Sequence, residues 1–274
     1  MSLNYFQAII LGLIQGATEF LPVSSSAHLL ITRNVFHFPD PSKTYDIMLH
    51  MGTLIALVIY FRKDLINIAK GVLRSLFKGK LYGEPAINLF WFLCISTIPA
   101  GLFGVKFGDQ LENINNTYLI SSMLIIFGIV LFLADKKGRK EKKVTDVTWK
   151  DALIVGLFQA IALFPGVSRS GICMTAALML GLTRKDSARY SFLISVPLIT
   201  AISLHGLISL FKHHPNNGEL TMYAVGMLAA VISGFVCIKY LLNFLNKNSF
   251  FGFTVYRVIL GMLLIILAVA GVIR

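Results

Sequence analysis

The sequence predicts an all-α integral membrane protein: six transmembrane helices plus two re-entrant helical hairpins, arranged as an inverted-topology repeat. Three observations predict it. Hydrophobic residues make up 56% of the 274 residues and charged residues only 14%, against roughly 45–50% and about 25% in soluble domains. The mean hydropathy is +0.74. Two polar interruptions of apolar runs, 15–28 and 159–170, share one residue pattern.

The elements follow in chain order. The region 4–36 starts as an apolar run, is cut at Glu19 and Pro22, and resumes over Ala27 to Phe38. It reads as two half-length helices joined at a polar break, the first re-entrant hairpin. The first Lys or Arg is Arg33. With no basic segment before it, the first apolar run is expected to stay in the mature protein. Six segments have the roughly 20 mostly apolar residues a span needs: 45–61, 86–107, 117–134, 188–211, 220–242 and 252–273. Between the third and fourth lies 151–183, cut at Pro165-Gly166 and resuming over Ile172 to Leu182. It reads as the second re-entrant hairpin, because half-helices at membrane depth are tolerated only where their break is buried or lines a cavity.

Charge sets the orientation. The net charge is +12, but Lys and Arg cluster in connectors, which argues for the positive-inside rule and against a nucleic-acid partner. Connectors 62–83 and 136–150 are basic and read as cytoplasmic, and 108–116 has no basic residue and reads as external. Such basic connectors also attract anionic membrane lipids. Segment 212–219, with Lys212, His213 and His214, comes out external and is the weakest fit. Each hairpin is then followed by three spans, an odd number, so the halves are inverted. The chain divides into repeats 1–135 and 150–274 joined by the basic loop 136–149. Cys94, Cys173 and Cys237 have no paired spacing, so neither a disulfide framework nor a zinc site is indicated.

The repeat is visible residue by residue. Gly12, Gln15, Phe20, Val23, Ser24 and Ser26 meet Gly156, Gln159, Phe164, Val167, Ser168 and Ser170 at a constant offset of 144. Broken helices in inverted repeats place the functional site where the breaks meet, near the membrane midplane. Glu19 is the carboxylate set within an apolar run, where burying it demands a partner or a task. A structural ion pair with Arg169 is the plain alternative. Gln15 lies one helical turn before Glu19, so both can offer oxygens to a divalent cation. Ser24, Ser25 and Ser26 follow the first break, and Ser168 and Ser170 the second. They can cap helices, and a helix N-terminus is itself an anion site. Arg169, between Gly166 and Gly171, offers a planar fork suited to phosphate. His28, a turn after Ser24 and Ser25, completes a serine, histidine and carboxylate set able to supply a nucleophile and a general acid–base. Tyr45 and Asp46 are placed at the entrance. His50, His205, His213 and His214 receive no role.

The pattern Gln15-x3-Glu19-Phe-Leu-Pro-Val-Ser-Ser-x2-His28, with Pro165-Gly-x-Ser168-Arg169-Ser170-Gly171, resembles the bacitracin-resistance type of undecaprenyl-diphosphate phosphatase. The resemblance covers the whole chain in length and segment order. It implies an enzyme of the bacterial cytoplasmic membrane, with its site open to the external side. The reaction implied is hydrolysis of undecaprenyl diphosphate to the monophosphate and phosphate, which recycles the lipid carrier for peptidoglycan synthesis and confers bacitracin resistance. It implies dependence on a divalent cation, Mg or Ca. The family's acidic motif falls on Gln15 and Glu19, its serine–histidine part on Ser24, Ser25 and His28, and its arginine on Arg169. Many relatives have Glu where this chain has Gln15, and Thr where it has Cys173. The nucleophile stays open between Ser25, His28 and water. So does homo-oligomer formation. The rival reading is a polyprenyl-phosphate flippase on the same frame, which would need Arg169 and the helix N-termini but neither His28 nor a metal.

Overall fold

The computed structural model describes the chain apart from residues 1, 2, 40, 41, 80, 81, 113, 115, 214, 272 and 274, and apart from the side chains of 109, 112, 205, 209 and 211–213. His205, His213 and His214, set aside above, thus lie outside the described side chains. The described residues form helices α1 (Tyr5–Phe20), α2 (Ser25–Val35), α3 (Lys43–Tyr60), α4 (Arg62–Phe77), α5 (Pro85–Glu112), α6 (Thr117–Lys137), α7 (Trp149–Ile161), α8 (Arg169–Met179), α9 (Arg184–His213), α10 (Asn217–Phe244) and α11 (Phe251–Val269). Among the described residues the β-structure is a single bridge, Lys142 to Leu182.

Local signals explain several boundaries. Asn4 and Gln7 form a capping box at α1, Thr148 and Asp151 at α7, and Asn216 and Glu219 at α10, each satisfying otherwise orphaned N–H groups. Five helices, α5, α6, α9, α10 and α11, are long and apolar enough to cross a membrane. A sixth span is added if α3 and α4, bent by 77° at their junction, count as one. Large apolar side chains such as Phe6, Leu102, Val105, Leu228 and Ile266 are exposed, as expected where lipid is the solvent. The protein is a multi-pass membrane protein.

Residues 62–77 depart from the expected connector. They are helix α4, because Leu65, Ile68 and Val72 recur at helical spacing and pack against the core. Their basic neighbours masked that period in the sequence. Gly71 of α4 sits against Ala86 at the start of α5, and Asp64 receives Arg189 of α9 at 2.5 Å.

The two broken helix pairs occur where the sequence places them. α1 and α7 end before the breaks, and α2 and α8 start at Ser25 and Arg169, again 144 residues apart. The halves interlock. α1 packs on α10 of the second half, and α7 packs on α5 of the first. The repeated glycines do the same work in each. A Cβ on Gly12 would strike the Gly226 carbonyl, and one on Gly156 would lie 2.9 Å from the Ser96 carbonyl. Small residues permit this closeness, as in other membrane helix pairs.

Tyr45 does not line an entrance. Its side chain is buried and its hydroxyl donates to the Ala8 carbonyl at 2.8 Å. Asp46 is taken by Arg33 at the end of α2.

Candidate active site

The two breaks meet. Ser24 and Ser168, at matching positions, both adopt left-handed backbone, with φ of 74° and 72°. For a residue other than glycine this costs on the order of 1–3 kcal/mol and marks a site the surroundings hold in place. Each hydroxyl pairs with the serine two residues on: Ser24 with Ser26 at 3.1 Å, Ser168 with Ser170 at 3.3 Å. Ser168 Oγ also accepts from the Gly171 N–H, capping α8. Ser170 Oγ crosses between the halves and donates to the Leu21 carbonyl at 3.0 Å. The start of α8 is thereby tied to the first break.

Glu19 is the centre of the polar cluster. It is buried at 7% exposure. Its Oε1 receives Arg169 Nη2 at 2.5 Å, so the ion pair weighed as an alternative does form. Its Oε2 accepts from Ser25 Oγ at 2.8 Å and from Gln15 Nε2 at 2.9 Å. Gln15 Nε2 also lies 3.2 Å from His50 Nδ1, which is 3.8 Å from Glu19 Oε2. Two buried atoms of this cluster have no protein partner: the Gln15 Oε1 acceptor and the Arg169 Nη1 donor. An unpartnered buried donor on an arginine is costly unless a ligand completes it.

The predicted residues thus divide. Gln15, Glu19, Ser25 and Arg169 form one hydrogen-bonded group. Ser24, Ser26, Ser168 and Ser170 flank it along the two helix starts. His28 stands at the edge. Its Nδ1 is 2.7 Å from the Ser24 carbonyl and its Nε2 2.7 Å from the Tyr256 hydroxyl. Both ring nitrogens are therefore engaged away from Ser25. Cys173 Sγ turns to Gln159 Oε1 and Thr175 bonds the Gly171 carbonyl, so neither reaches the cluster.

Three residues were missed. His50, assigned no role, stands against Gln15 and Glu19. Tyr256 holds His28. Arg257 is fully buried and donates to five backbone carbonyls: Pro22 of the first break, Gly166 and Val167 of the second, and Met123 and Leu124 of α6. No carboxylate pairs with it among the described residues. Gly171 makes room for this, since a Cβ there would sit 3.0 Å from Arg257 Nη1. Gly166, with φ of 91°, lets the second break approach the Ile120 carbonyl instead. His50 and Arg257 both lie inside apolar runs, where an ionisable residue is a signal in its own right. Tyr256 carried none.

Chemically, the group offers one hydroxyl bonded to a carboxylate, one guanidinium with a free arm, a second guanidinium behind both breaks whose charge meets no carboxylate among the described residues, and two helix N-termini. That excess of positive charge and donors fits an anion with several oxygens.

Known proteins match over nearly the whole chain. The family model described as "Bacitracin resistance protein BacA" matches residues 8–263. A protein of Moorella thermoacetica named undecaprenyl-diphosphatase is 45% identical over 267 residues, 96% of this chain and 97% of that protein. Proteins with the same name from Myxococcus xanthus and Saccharophagus degradans are 39% and 40% identical, covering 98% and 94% of this chain and 91% and 96% of theirs.

Proposed function

The chain belongs to the bacitracin resistance protein BacA family, and from that premise we propose that its two facing breaks form the active site of an undecaprenyl-diphosphatase. It hydrolyses undecaprenyl diphosphate to undecaprenyl phosphate and phosphate, recycling the lipid carrier for the cell wall and conferring bacitracin resistance. The carrying observation is Arg169. One arm holds Glu19 and the other, Nη1, is buried without a protein partner, beside the hydroxyl that Glu19 engages.

In the proposed reaction, Arg169 Nη1 and the N-termini of α2 and α8 receive the terminal phosphate. Ser25 Oγ attacks its phosphorus, and Glu19 Oε2, 2.8 Å away, takes the hydroxyl proton. The phosphorus–oxygen bond to the lipid monophosphate breaks as the new one forms. Water then hydrolyses the phosphoserine and releases phosphate. Stabilising charge on oxygens already in place is the main demand of phosphoryl transfer. The engagement of both His28 nitrogens elsewhere supports this route over direct attack by His28.

A divalent cation, Mg or Ca, belongs to the proposal. With the Gln15 amide oriented by His50, whose Nδ1 is 3.2 Å from its Nε2, the unpartnered Gln15 Oε1 and the spare lone pairs of Glu19 fit such an ion, which takes oxygen ligands. These residues would hold it, and it would neutralise diphosphate charge.

The proposed frame is an inverted repeat in the bacterial cytoplasmic membrane. α1–α2 enters from the external side, α7–α8 from the cytoplasmic side, and the site opens externally. The constant offset, the interlocked packing and the basic connectors support it. The relatives carry an enzyme's name, which disfavours the flippase.

The test is phosphate release by the purified protein with undecaprenyl diphosphate, with and without a chelator. Release that falls with chelator and is lost in Glu19→Ala is expected. No release from folded protein that still binds the lipid would return the flippase.

A further inference from the structure

Beside His28 a cleft of about 440 Å³ opens between the first break, the end of α10 and the start of α11. Its walls are almost entirely apolar: Leu21 and Val23 from the break, Phe244 from α10, Phe253 and the Tyr256 ring from α11. Thr18 also borders it, but its hydroxyl is spent on the Ile14 carbonyl. His28 lies on its wall and bonds the Ser24 carbonyl at the first break, one residue before Ser25. On the same helix, α11, the large apolar side chains of Phe251, Val255 and Ile259 are exposed, as expected of a helix that meets lipid.

We propose that this cleft seats the first isoprene units of the lipid tail, a reading that rests on the phosphatase assignment above. The diphosphate of such a substrate is covalently tied to a long hydrocarbon chain. That chain must leave the polar cluster through an apolar passage that reaches the bilayer. The volume lies within the roughly 300–1,000 Å³ of small-molecule sites, enough for the proximal units and far too small for the whole tail. The distal units stay in the membrane. Burying the proximal units supplies binding energy next to the reacting phosphorus. The His28–Tyr256 pair stands where tail and headgroup part.

Gly252 makes the test clean. It lines the cleft at the first turn of α11, and a Cβ there meets nothing within 4 Å. Gly252→Phe fills the cleft from outside the catalytic cluster. KM for three-unit and undecaprenyl diphosphates should rise about tenfold or more, the scale of losing one or two methylene contacts. kcat should stay within about twofold by the same reasoning, and hydrolysis of methyl diphosphate, which carries no isoprene unit, should be unaffected. Unchanged KM for the long substrates in folded Gly252→Phe overturns the proposal. A second measurement uses wild-type protein and an unreactive analogue with a photoreactive group on its first isoprene unit. Labelling of Phe244, Phe253 or Tyr256 supports the cleft, and labelling confined to α5 or α7 overturns it. Failure of the wild type to release phosphate at all would instead strike the underlying activity.

Discussion

Arg169 holds Glu19 at 2.5 Å from a position 150 residues further along the chain, and this pair joins the two halves at their breaks. Each partner also serves a second purpose. Glu19 holds the Ser25 hydroxyl, and Arg169 keeps one donor unsatisfied. The pair therefore ties the two broken helix pairs together and is the group on which the proposed reaction turns, and substitutions should separate the two roles.

Arg169→Ala leaves Glu19 buried and unpaired. Breaking a buried pair from one side costs about 3–5 kcal/mol. Activity should fall by about 10²–10³-fold, the share expected of a lost charge-stabilising donor, and thermal stability should fall with it. The double variant Glu19→Ala/Arg169→Ala should be more stable than Arg169→Ala alone, because no uncompensated charge remains. Thermal unfolding in detergent reads this directly, and a double variant less stable than the single one contradicts the account.

Ser25 and His28 differ in what they touch. Ser25→Ala removes the hydroxyl bonded to Glu19 and should abolish turnover. His28→Ala removes a group held by Ser24 and Tyr256 and should leave a residual rate at least about tenfold higher than that of Ser25→Ala, as for a general acid–base rather than a nucleophile. Rapid quenching with phosphate-labelled substrate should trap label on Ser25. Label on His28 would transfer the nucleophile's role, and no label on either would leave direct attack by water.

Much of this was readable in the sequence, for a physical reason. Gln15, Glu19, Ser24 and Arg169 are polar residues in a setting where polarity is expensive, so their spacing stood out and the shared offset located both breaks. α4 was hidden because its basic residues dominate the reading while its apolar residues keep helical spacing beneath them. His50 and Arg257 were legible in principle, each being ionisable inside an apolar run. What they touch was not, since Arg257 reaches Pro22 across 235 positions. The Tyr256–His28 bond spans 228 positions with no local pattern on the tyrosine.

His50 bears on the proposed cation. Its Nδ1 lies 3.2 Å from Gln15 Nε2, so it orients the amide that would hold the ion together with Glu19. His50→Ala should raise the Mg or Ca concentration needed for half-maximal activity by about 10–100-fold, the usual consequence of disturbing a metal's surroundings. Saturating cation should restore most of kcat. An unchanged cation dependence in His50→Ala places the ion elsewhere.

Gly16 tests the interlock. A Cβ there would overlap the Ser233 hydroxyl and the Ala230 carbonyl, and come within 2.8 Å of the Gly234 nitrogen. Gly16→Ala must push α1 off α10, at about 1–3 kcal/mol for an overpacked contact. The unfolding temperature should fall by a few degrees, about 2–4 °C per kcal/mol. Gly101→Ala is the control, since a Cβ there meets nothing within 4 Å. Equal effects at the two positions would deny the close packing.

Arg257 presents the most demanding case. Its charge is fully buried with no acidic partner among the described residues, and the five carbonyls it reaches come from both breaks and from α6. Carbonyl dipoles offset part of the desolvation, and the remaining positive charge lies behind the residues proposed to bind phosphate. Arg257→Met keeps much of the bulk but strands those carbonyls, each worth about 1–3 kcal/mol when left unmade. It should lower the unfolding temperature and raise KM for the diphosphate together. Arg257→Lys retains the charge but has three donors and no planar fork. It should therefore recover KM more than it recovers stability. That split distinguishes an electrostatic contribution to binding from a purely structural clamp, for which KM would follow stability in both variants. Arg257→Met with unaltered KM and unfolding temperature would remove Arg257 from the site altogether.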